Sequence, residues 1–525
     1  MIRRALIGLL QKLFPDENIV VDRVPKDKPG DYATNIAFKI AAQQKKPPQQ
    51  VAEEIAAGIN DPMIEDITVQ PPAFINFTIN RKYLLESMFY PTETLNIGND
   101  EKVLVEFVSA NPTGPLNIVS ARAAAVGDSL VRLLNHTGFQ AHAEYYINDG
   151  GKQTGLLADS VQQRIKELHG GTAEIPEDGY KGSYIIDVAR AAEVQSIEEY
   201  EELREFSIKY FIAQHKATLD RFGVSFDHWT RESAIYKTGL VETVLGMLKK
   251  KGLTYEQESA MWLKTTLFGD KDDRVIITSD NRHTYLLPDI GYHFDKIQRG
   301  YTKLIDILGP DHQAQVKSMQ SSIQALGQPG DILKVIIVQQ VNLKKGGEIL
   351  KMSKRAGILE TMDELLDQIP RDVVRFFLLM RSNSQHLDFD IDLAQQQSDE
   401  NPVYYVQYAN ARIHSILHRA SEQNISLPDN FDVLLIKESE ELDLVKALLK
   451  FDEVLEDAVH HLEPYMLTYY LLDVARIFHF FYQKHRVIND QDLPVTYARL
   501  ALIKKAADMI KQGLSILGIS CPEKM

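Results

Sequence analysis

The opening residues MIRRALIGLLQKLF place apolar side chains at helical spacing, which predicts one helix with Ile2, Leu6, Leu9, Leu10, Leu13 and Phe14 turned inward. A polar loop follows at 26–32 (KDKPGDY), then helical patterns from Ala33 and over 51–58, and a strand at 74–79 (FINFTI). Pro91, Gly98 and their polar neighbours mark residues 90–100 as a linker. The period changes at 103–108 (VLVEFV), where β-branched and aromatic residues predict a buried strand. A Pro/Gly loop at 110–115 leads into a helix from about Ser120 to Leu134, with Val126, Leu130, Leu133 and Leu134 on one face. Residues 140–147 form the next strand, and a strand–helix–strand order of this kind predicts parallel pairing. Strand patterns at 274–278, 304–308 and 333–338 extend the sheet, with a mainly helical insertion at about 150–270. Beyond about 401 strand patterns stop, and 442–461, 465–485 and 495–517 predict the long helices of a separate bundle. The expected division is 1–95, 96–400 and 401–525, in line with the roughly three or four domains that the length suggests.

Charged residues make up 25% and hydrophobic ones 44%, the balance of a soluble globular protein. No apolar run approaches the roughly 20 residues that span a bilayer, so no membrane partner is expected. The basic start precedes only a short apolar stretch without a small-residue cleavage site, which predicts a helix and not a secretion signal. The single cysteine, Cys521, rules out an internal disulfide framework or a cysteine-based zinc cluster, and the expectation is a cytoplasmic protein without its own metal site. A net charge of −15 weighs mildly against a nucleic-acid partner. Net charge describes the far field, however, and acidic residues gather locally, as in EVQSIEEYEELRE at 193–205. Composition leaves RNA open.

The loop 111–120 (NPTGPLNIVS) lies between a strand and a helix at the carboxyl edge of a parallel sheet, where a helix N-terminus offers free N–H groups to phosphate. No G-x-G-x-x-G occurs, which disfavours a dinucleotide. In KMSKRAG at 351–357, two lysines flank a serine; near a nucleotide their ammonium groups could neutralise a departing pyrophosphate. Glu106 is an acid inside an apolar strand, costly to bury without a cation. Asp289 stands one helical turn from Tyr285, so both can face one pocket. A salt bridge to a protein arginine is the plain alternative for these carboxylates, and Pro310-Asp311 equally suits a helix start.

Together these segments resemble the arginyl-tRNA synthetases, a branch of the class I aminoacyl-tRNA synthetases. KMSK at 351–354 matches the second class signature. Further matches are EFVSANPTGPL at 106–116, YINDGGKQ at 146–153, GPDH at 309–312, residues 380–393, NPVYYVQYANAR at 401–412, GDYATN at 30–35 and the terminal LGISCPEKM. The resemblance implies an α/β protein: a Rossmann-type parallel-sheet catalytic domain, a small N-terminal α/β domain that touches the tRNA elbow, and a C-terminal all-α helical bundle that binds the anticodon. It implies a monomeric ligase that joins L-arginine to tRNA-Arg with ATP and Mg²⁺ and needs bound tRNA for the first step. Glu106, Asn111, Tyr285 and Asp289 would line the arginine site. ATP would meet Ala110, Asn111, Pro112, Thr113, Gly114, Pro115, Leu116, Asn117, Ile118, Val119 and Ser120, then Gly309, Asp311 and His312, and Lys351, Met352, Ser353 and Lys354. Asn117, Ser120, Lys351, Ser353 and Lys354 would act in catalysis. Candidate tRNA contacts are Asp31, Tyr32 and Asn35 at one end and Tyr404, Tyr405, Tyr408, Tyr482, Arg486 and Met525 at the other, since aromatic rings can stack on splayed bases.

One position departs from the family pattern. The first class signature carries two histidines and a glycine where this chain has Asn117, Val119 and Ser120. Amide and hydroxyl still donate hydrogen bonds but carry no charge. The alternative to an active ligase is therefore a catalytically weakened relative that binds arginine or tRNA as a sensor or interaction protein.

Overall fold

The computed structural model describes residues 2–25, 27–91, 95–350 and 361–525. Lys351, Met352, Ser353 and Lys354 lie outside the described residues. The first helix, Ile2–Leu13, buries Ile2, Leu6 and Leu10, whereas Leu13 at its end is exposed. A four-stranded antiparallel sheet follows, in the order Val21–Arg23, Tyr32–Thr34, Phe74–Ile79, Ile64–Gln70. Residues 32–34, expected at the end of a loop and the start of a helix, are thus a short strand. Gly30 at φ +97 makes the turn into it, a conformation that a β-carbon would strain.

Five strands form the parallel sheet, in the order Leu333–Ile337, Lys303–Leu308, Lys102–Glu106, Gln140–Ile147, His228–Arg231. The chain starts in the middle, winds outward to one edge, then returns to build the other side. The strand order therefore reverses between Lys102–Glu106 and Lys303–Leu308, and a crevice opens at their carboxyl ends. Two expectations need correction. Arg274–Ile277 does not join this sheet; it pairs antiparallel with Ala260–Leu263, itself paired with Thr254–Gln257. Glu258 and Ser259, both at positive φ (51 and 60), close the two-residue hairpin between those last two strands. His228–Arg231, inside the stretch read as a helical insertion, supplies the fifth parallel strand. Its four half-buried residues are too few to show a period.

The helix Ile118–His136 crosses under the sheet and buries Val126, Leu130, Leu133 and Leu134 as predicted. The C-terminal helices are Pro402–Glu422, Ser439–Leu449, Phe451–His461, Tyr465–Lys484 and Leu493–Ile516. The single helix expected over 442–461 is broken because its halves serve different neighbours: the first packs on Arg81–Phe89, the second reaches Ile118–His136. Nor is the bundle separately packed. Its apolar side chains run into one core with those of the other layers. Fully buried Arg375 donates to Asp128 (2.5 Å) and to the Leu517 carbonyl (2.9 Å), tying the bundle's last turn to the helix Ile118–His136.

Candidate active site

The crevice at the switch in strand order is a cleft of about 620 Å³, a volume typical of small-molecule sites. It brings together ten of the residues singled out in the sequence: Glu106, Ala110, Asn111, Asn117, Val119, Ser120, Tyr285, Asp289, Gly309 and His312. The strand Lys102–Glu106 ends at its acid because the chain then turns: Val108 and Ser109 adopt φ of 68 and 38. A β-branched residue in that region is strained, as often occurs beside sites. Ser109 Oγ donates to Glu106 Oε1 (2.9 Å) and accepts from the Tyr146 N–H (3.1 Å), which fixes the bend.

Seven expected ATP contacts do not line the cleft. Pro112, Thr113, Leu116 and Ile118 are buried in the protein, because a turn threaded by two prolines alternates its side chains between cleft and core. Gly114 and Pro115 lie between them outside the lining, and Gly114 backs onto the Tyr184 ring, 3.3 Å from where a β-carbon would stand. Asp311 points to solvent, 79% exposed, beside His312 Nε2 at 3.4 Å.

Glu106 already has a cation. Lys296, 1% exposed, donates to Glu106 Oε2 at 2.6 Å and to Asp306 Oδ1 at 3.0 Å. The internal ion pair considered for Glu106 is thus realised with a lysine, which the sequence gave no reason to choose. His293 donates through Nδ1 to the Asp289 carbonyl (2.8 Å) and meets Asp306 Oδ2 through Nε2 (2.7 Å). Lys296 and His293 together hold the Asp306 carboxyl far below the carboxylate range against its burial.

That balance leaves Asp289 over. Its carboxylate makes no hydrogen bond or ion pair among the described residues, and burial, with Glu106, Glu232 and Asp306 nearby, pushes its pKa up to about 7. Glu232, at the start of the helix Glu232–Lys237, is likewise raised by burial and by Asp149. The Tyr146 hydroxyl, facing both, is buried without a partner. Two acids short of a cation and an orphaned hydroxyl make the cleft a site for a positively charged, hydrogen-bonding group. Tyr285 stands over the mouth, 78% exposed. Asn111 Nδ2 donates to Gln153 Oε1 at 2.6 Å, joining the loop to the helix Gly151–Leu168. Sequence reasoning missed Glu232, Tyr146 as a site residue, and Gln153; the last two stand in the YINDGGKQ stretch it had noticed.

At the opposite wall Asn117 caps the helix Ile118–His136: its Oδ1 accepts from the Ser120 N–H (3.0 Å) and the Ser120 hydroxyl (3.2 Å). Among the described residues the cap leaves the Asn117 amide protons without a partner, beside a helix N-terminus, a place that favours anions. Thr361, which follows the second signature segment, bridges to Asn117, and the Met362 N–H donates to the Leu116 carbonyl at 2.8 Å. Chain on the far side of the KMSK segment therefore returns to the first signature.

Residues 86–375 match the family described as tRNA synthetases class I (R), catalytic domain; residues 1–79 match the arginyl tRNA synthetase N terminal domain and 406–525 the DALR anticodon binding domain. The chain belongs to the arginyl-tRNA synthetase family. It is 44% identical over 527 residues to the arginine–tRNA ligase of Bacillus subtilis, covering 97% of this chain and 94% of that one. The ligase of Bacillus licheniformis is 42% identical over 525 residues, covering 96% and 94%. The structure of Thermus thermophilus arginyl-tRNA synthetase shares the fold, with TM-score 0.82 over 100% of both chains at 22% identity.

Within this family member the candidate tRNA residues fare unequally. Asp31 pairs with Lys446 (2.7 Å) and accepts from the Ile79 N–H (2.9 Å); Tyr32 is buried and donates to Glu453 at 2.8 Å. Both are engaged in docking the N-terminal layer on the bundle, because GDY lies at that junction, and neither is presented to a partner. Asn35 is exposed. Tyr404 and Tyr405 pack partly into the core. Tyr408 and Tyr482 flank Arg412, 5.5 and 5.4 Å from its guanidinium, and Tyr482 shares a groove with exposed Arg486. Met525 is exposed in a hollow beside Tyr404. Among the described residues no helix is long and apolar enough to cross a membrane, and no group of three His, Cys, Asp or Glu is placed to hold a metal.

Proposed function

We propose that this chain is a working arginine–tRNA ligase that activates arginine with ATP in the cleft, once tRNA is bound, and transfers it to the terminal adenosine of tRNA-Arg. The uncompensated Asp289 carboxylate carries the proposal, because a guanidinium is the always-charged, many-donor group that it, Glu232 and Tyr146 lack. Tyr285 covers the guanidinium from the mouth, and Asn111, with Gln153, holds the α-amino or carboxylate end. The arginine carboxylate then faces Asn117 and Ser120, where its attack on the α-phosphorus releases pyrophosphate. No enzyme nucleophile is needed; orientation and stabilisation of developing charge do the work. Class I synthetases use ATP, generally with Mg²⁺. Bound with the triphosphate, that ion would supply charge neutralisation, while Lys351 and Lys354 meet the departing charge. The 1–95 layer would meet the tRNA elbow, and Tyr408, Tyr482 and Arg486 the anticodon loop, in a cytoplasmic monomer.

Pyrophosphate exchange measured with and without tRNA tests the proposal. Exchange that requires both arginine and tRNA is expected; tRNA and ATP binding without exchange would leave the sensor alternative. That alternative rests on Asn117 and Ser120 standing where the signature has histidines. We expect Asn117→Ala and Ser120→Ala each to slow exchange at least about tenfold, equivalent to about 1.4 kcal/mol. Asn117→Ala should also cost about 1 kcal/mol of stability as a lost cap. Exchange within twofold of the parent would take both residues out of the chemistry.

A pH dependence follows from Asp289. Arginine pairs with its ionised form, and in the empty cleft half of it is protonated near pH 7. The KM for arginine should therefore fall as pH rises from 6 to 8 and level off above, with Asp289→Asn flat over the range. A KM that rises with pH would contradict the assignment.

A further inference from the structure

The first signature loop is held from behind by two buried side chains that touch no cleft. His215, on the helix Tyr200–Phe222, places Nε2 2.7 Å from the Gly114 carbonyl and Nδ1 2.9 Å from the Tyr145 hydroxyl. Tyr145 in turn accepts from the Ala110 N–H (3.1 Å) and lies 3.0 Å from the Ala110 carbonyl. Both residues are 1% exposed. A carbonyl can only accept, so Nε2 carries the ring proton and Nδ1 offers a lone pair to the tyrosine. Burial lowers the pKa of the ring, in keeping with this neutral form. The result is one hydrogen-bonded chain from Gly114 through His215 and Tyr145 to Ala110, bracketing the loop. Two apolar side chains could fill the space without the desolvation that these polar groups require, so packing alone does not account for them.

The same helix also reaches the chain that follows the second signature. Thr218 Oγ1 donates to Asp363 Oδ2 at 2.6 Å, and Arg221 pairs with Asp363 (3.5 Å) and Asp367 (2.7 Å), on the helix Met362–Gln368. One strut outside the cleft therefore holds the loop of the first signature and the chain that follows the second.

We propose that His215 and Tyr145 are positioning residues for ATP, setting the shape of the loop from Ala110 to Gly114 from the helix Tyr200–Phe222. This rests on the assignment of that loop to the nucleotide. A sub-ångström drift of a positioning group can cost about a hundredfold in rate, so the loss should be large for residues that never meet substrate.

The test is tRNA-dependent pyrophosphate exchange by the full chain, with ATP and arginine varied separately, for His215→Leu, His215→Gln, Tyr145→Phe and the double variant His215→Leu/Tyr145→Phe. We expect His215→Leu and Tyr145→Phe to raise the KM for ATP at least about tenfold, with a smaller rise in the KM for arginine because Asn111 stands in the same loop. His215→Gln, which keeps a donor for Gly114, should recover part of the loss. The double variant should be little worse than either single one, because both cut the same chain. Tyr145→Phe preserves the ring and its packing, so it answers even if His215→Leu folds poorly. An unaltered KM for ATP in Tyr145→Phe and His215→Gln, whatever their melting temperatures, overturns the proposal. Ser120→Ala separates the two levels: if it alone changes ATP use, the clamp fails and the loop assignment stands. If none of the variants changes ATP use, the loop assignment fails as well.

Discussion

Asp289→Asn should lower kcat/KM for arginine at least about a hundredfold, since truncating one partner of a buried charged pair costs roughly 3 kcal/mol. The gap between arginine and citrulline should narrow at the same time, because citrulline, with a carbonyl oxygen in place of one guanidinium nitrogen, lacks the charge that the carboxylate meets. The same substitution should stabilise the enzyme without substrate. The folded protein raises the Asp289 pKa from its ordinary 3.8 to about 7, so the folded state favours the protonated acid. Its contribution to stability is complete below the unfolded value and is lost as pH rises through about 7. Asparagine has no such proton to lose. The variant should melt above the parent at pH 8 in the absence of arginine, and the difference should vanish toward pH 4. Gaining stability while losing substrate is the behaviour of a site residue held in an unfavourable environment for function. Unchanged arginine kinetics together with a lower melting temperature would make Asp289 a structural acid and remove it from the pocket.

Lys296→Met should be the most destabilising change near the cleft, by about 3–5 kcal/mol, because it strands two largely buried carboxylates. Glu106 and Asp306 both bond its ammonium, which itself is 1% exposed. Without the lysine these acids favour their protonated forms in the folded state. The deficit should then be larger at pH 8 than at pH 5, the reverse of ordinary acid unfolding. Denaturant unfolding at the two pH values measures this directly. A variant within about 1 kcal/mol of the parent at both would show that His293 and local water suffice to hold the pair.

Much of the architecture was legible in the chain itself. The strands around residues 103–106, 140–147, 304–308 and 333–337 and the helix that buries Val126, Leu130, Leu133 and Leu134 follow from periodicity, because each buries a long, regular stripe of apolar side chains. Glu106, Asn111, Tyr285 and Asp289 were also legible, as polar residues at strand ends and loop positions where burial needs a reason, and the structure brings all four to one cleft. The sequence alone likewise determined the departure at Asn117, Val119 and Ser120 and the presence of KMSK.

Tertiary structure decided what depends on contacts between distant segments. Pairing with Ala260–Leu263 kept Arg274–Ile277 out of the parallel sheet, and the four residues His228–Arg231 became a sheet strand by pairing with Gln140–Ile147. The partner of Glu106 could not be read, since Lys296 comes 190 residues later and looks in sequence like any helical lysine. Tyr32, placed by pattern on a binding surface, is instead sealed by Glu453, 421 residues away. Local chemistry sets which side chains can bear charge, bend the chain or pack. Which carboxylate is neutralised by the protein and which waits for a ligand is a matter of long-range electrostatic pairing, and only the folded chain brings those charges within reach of each other.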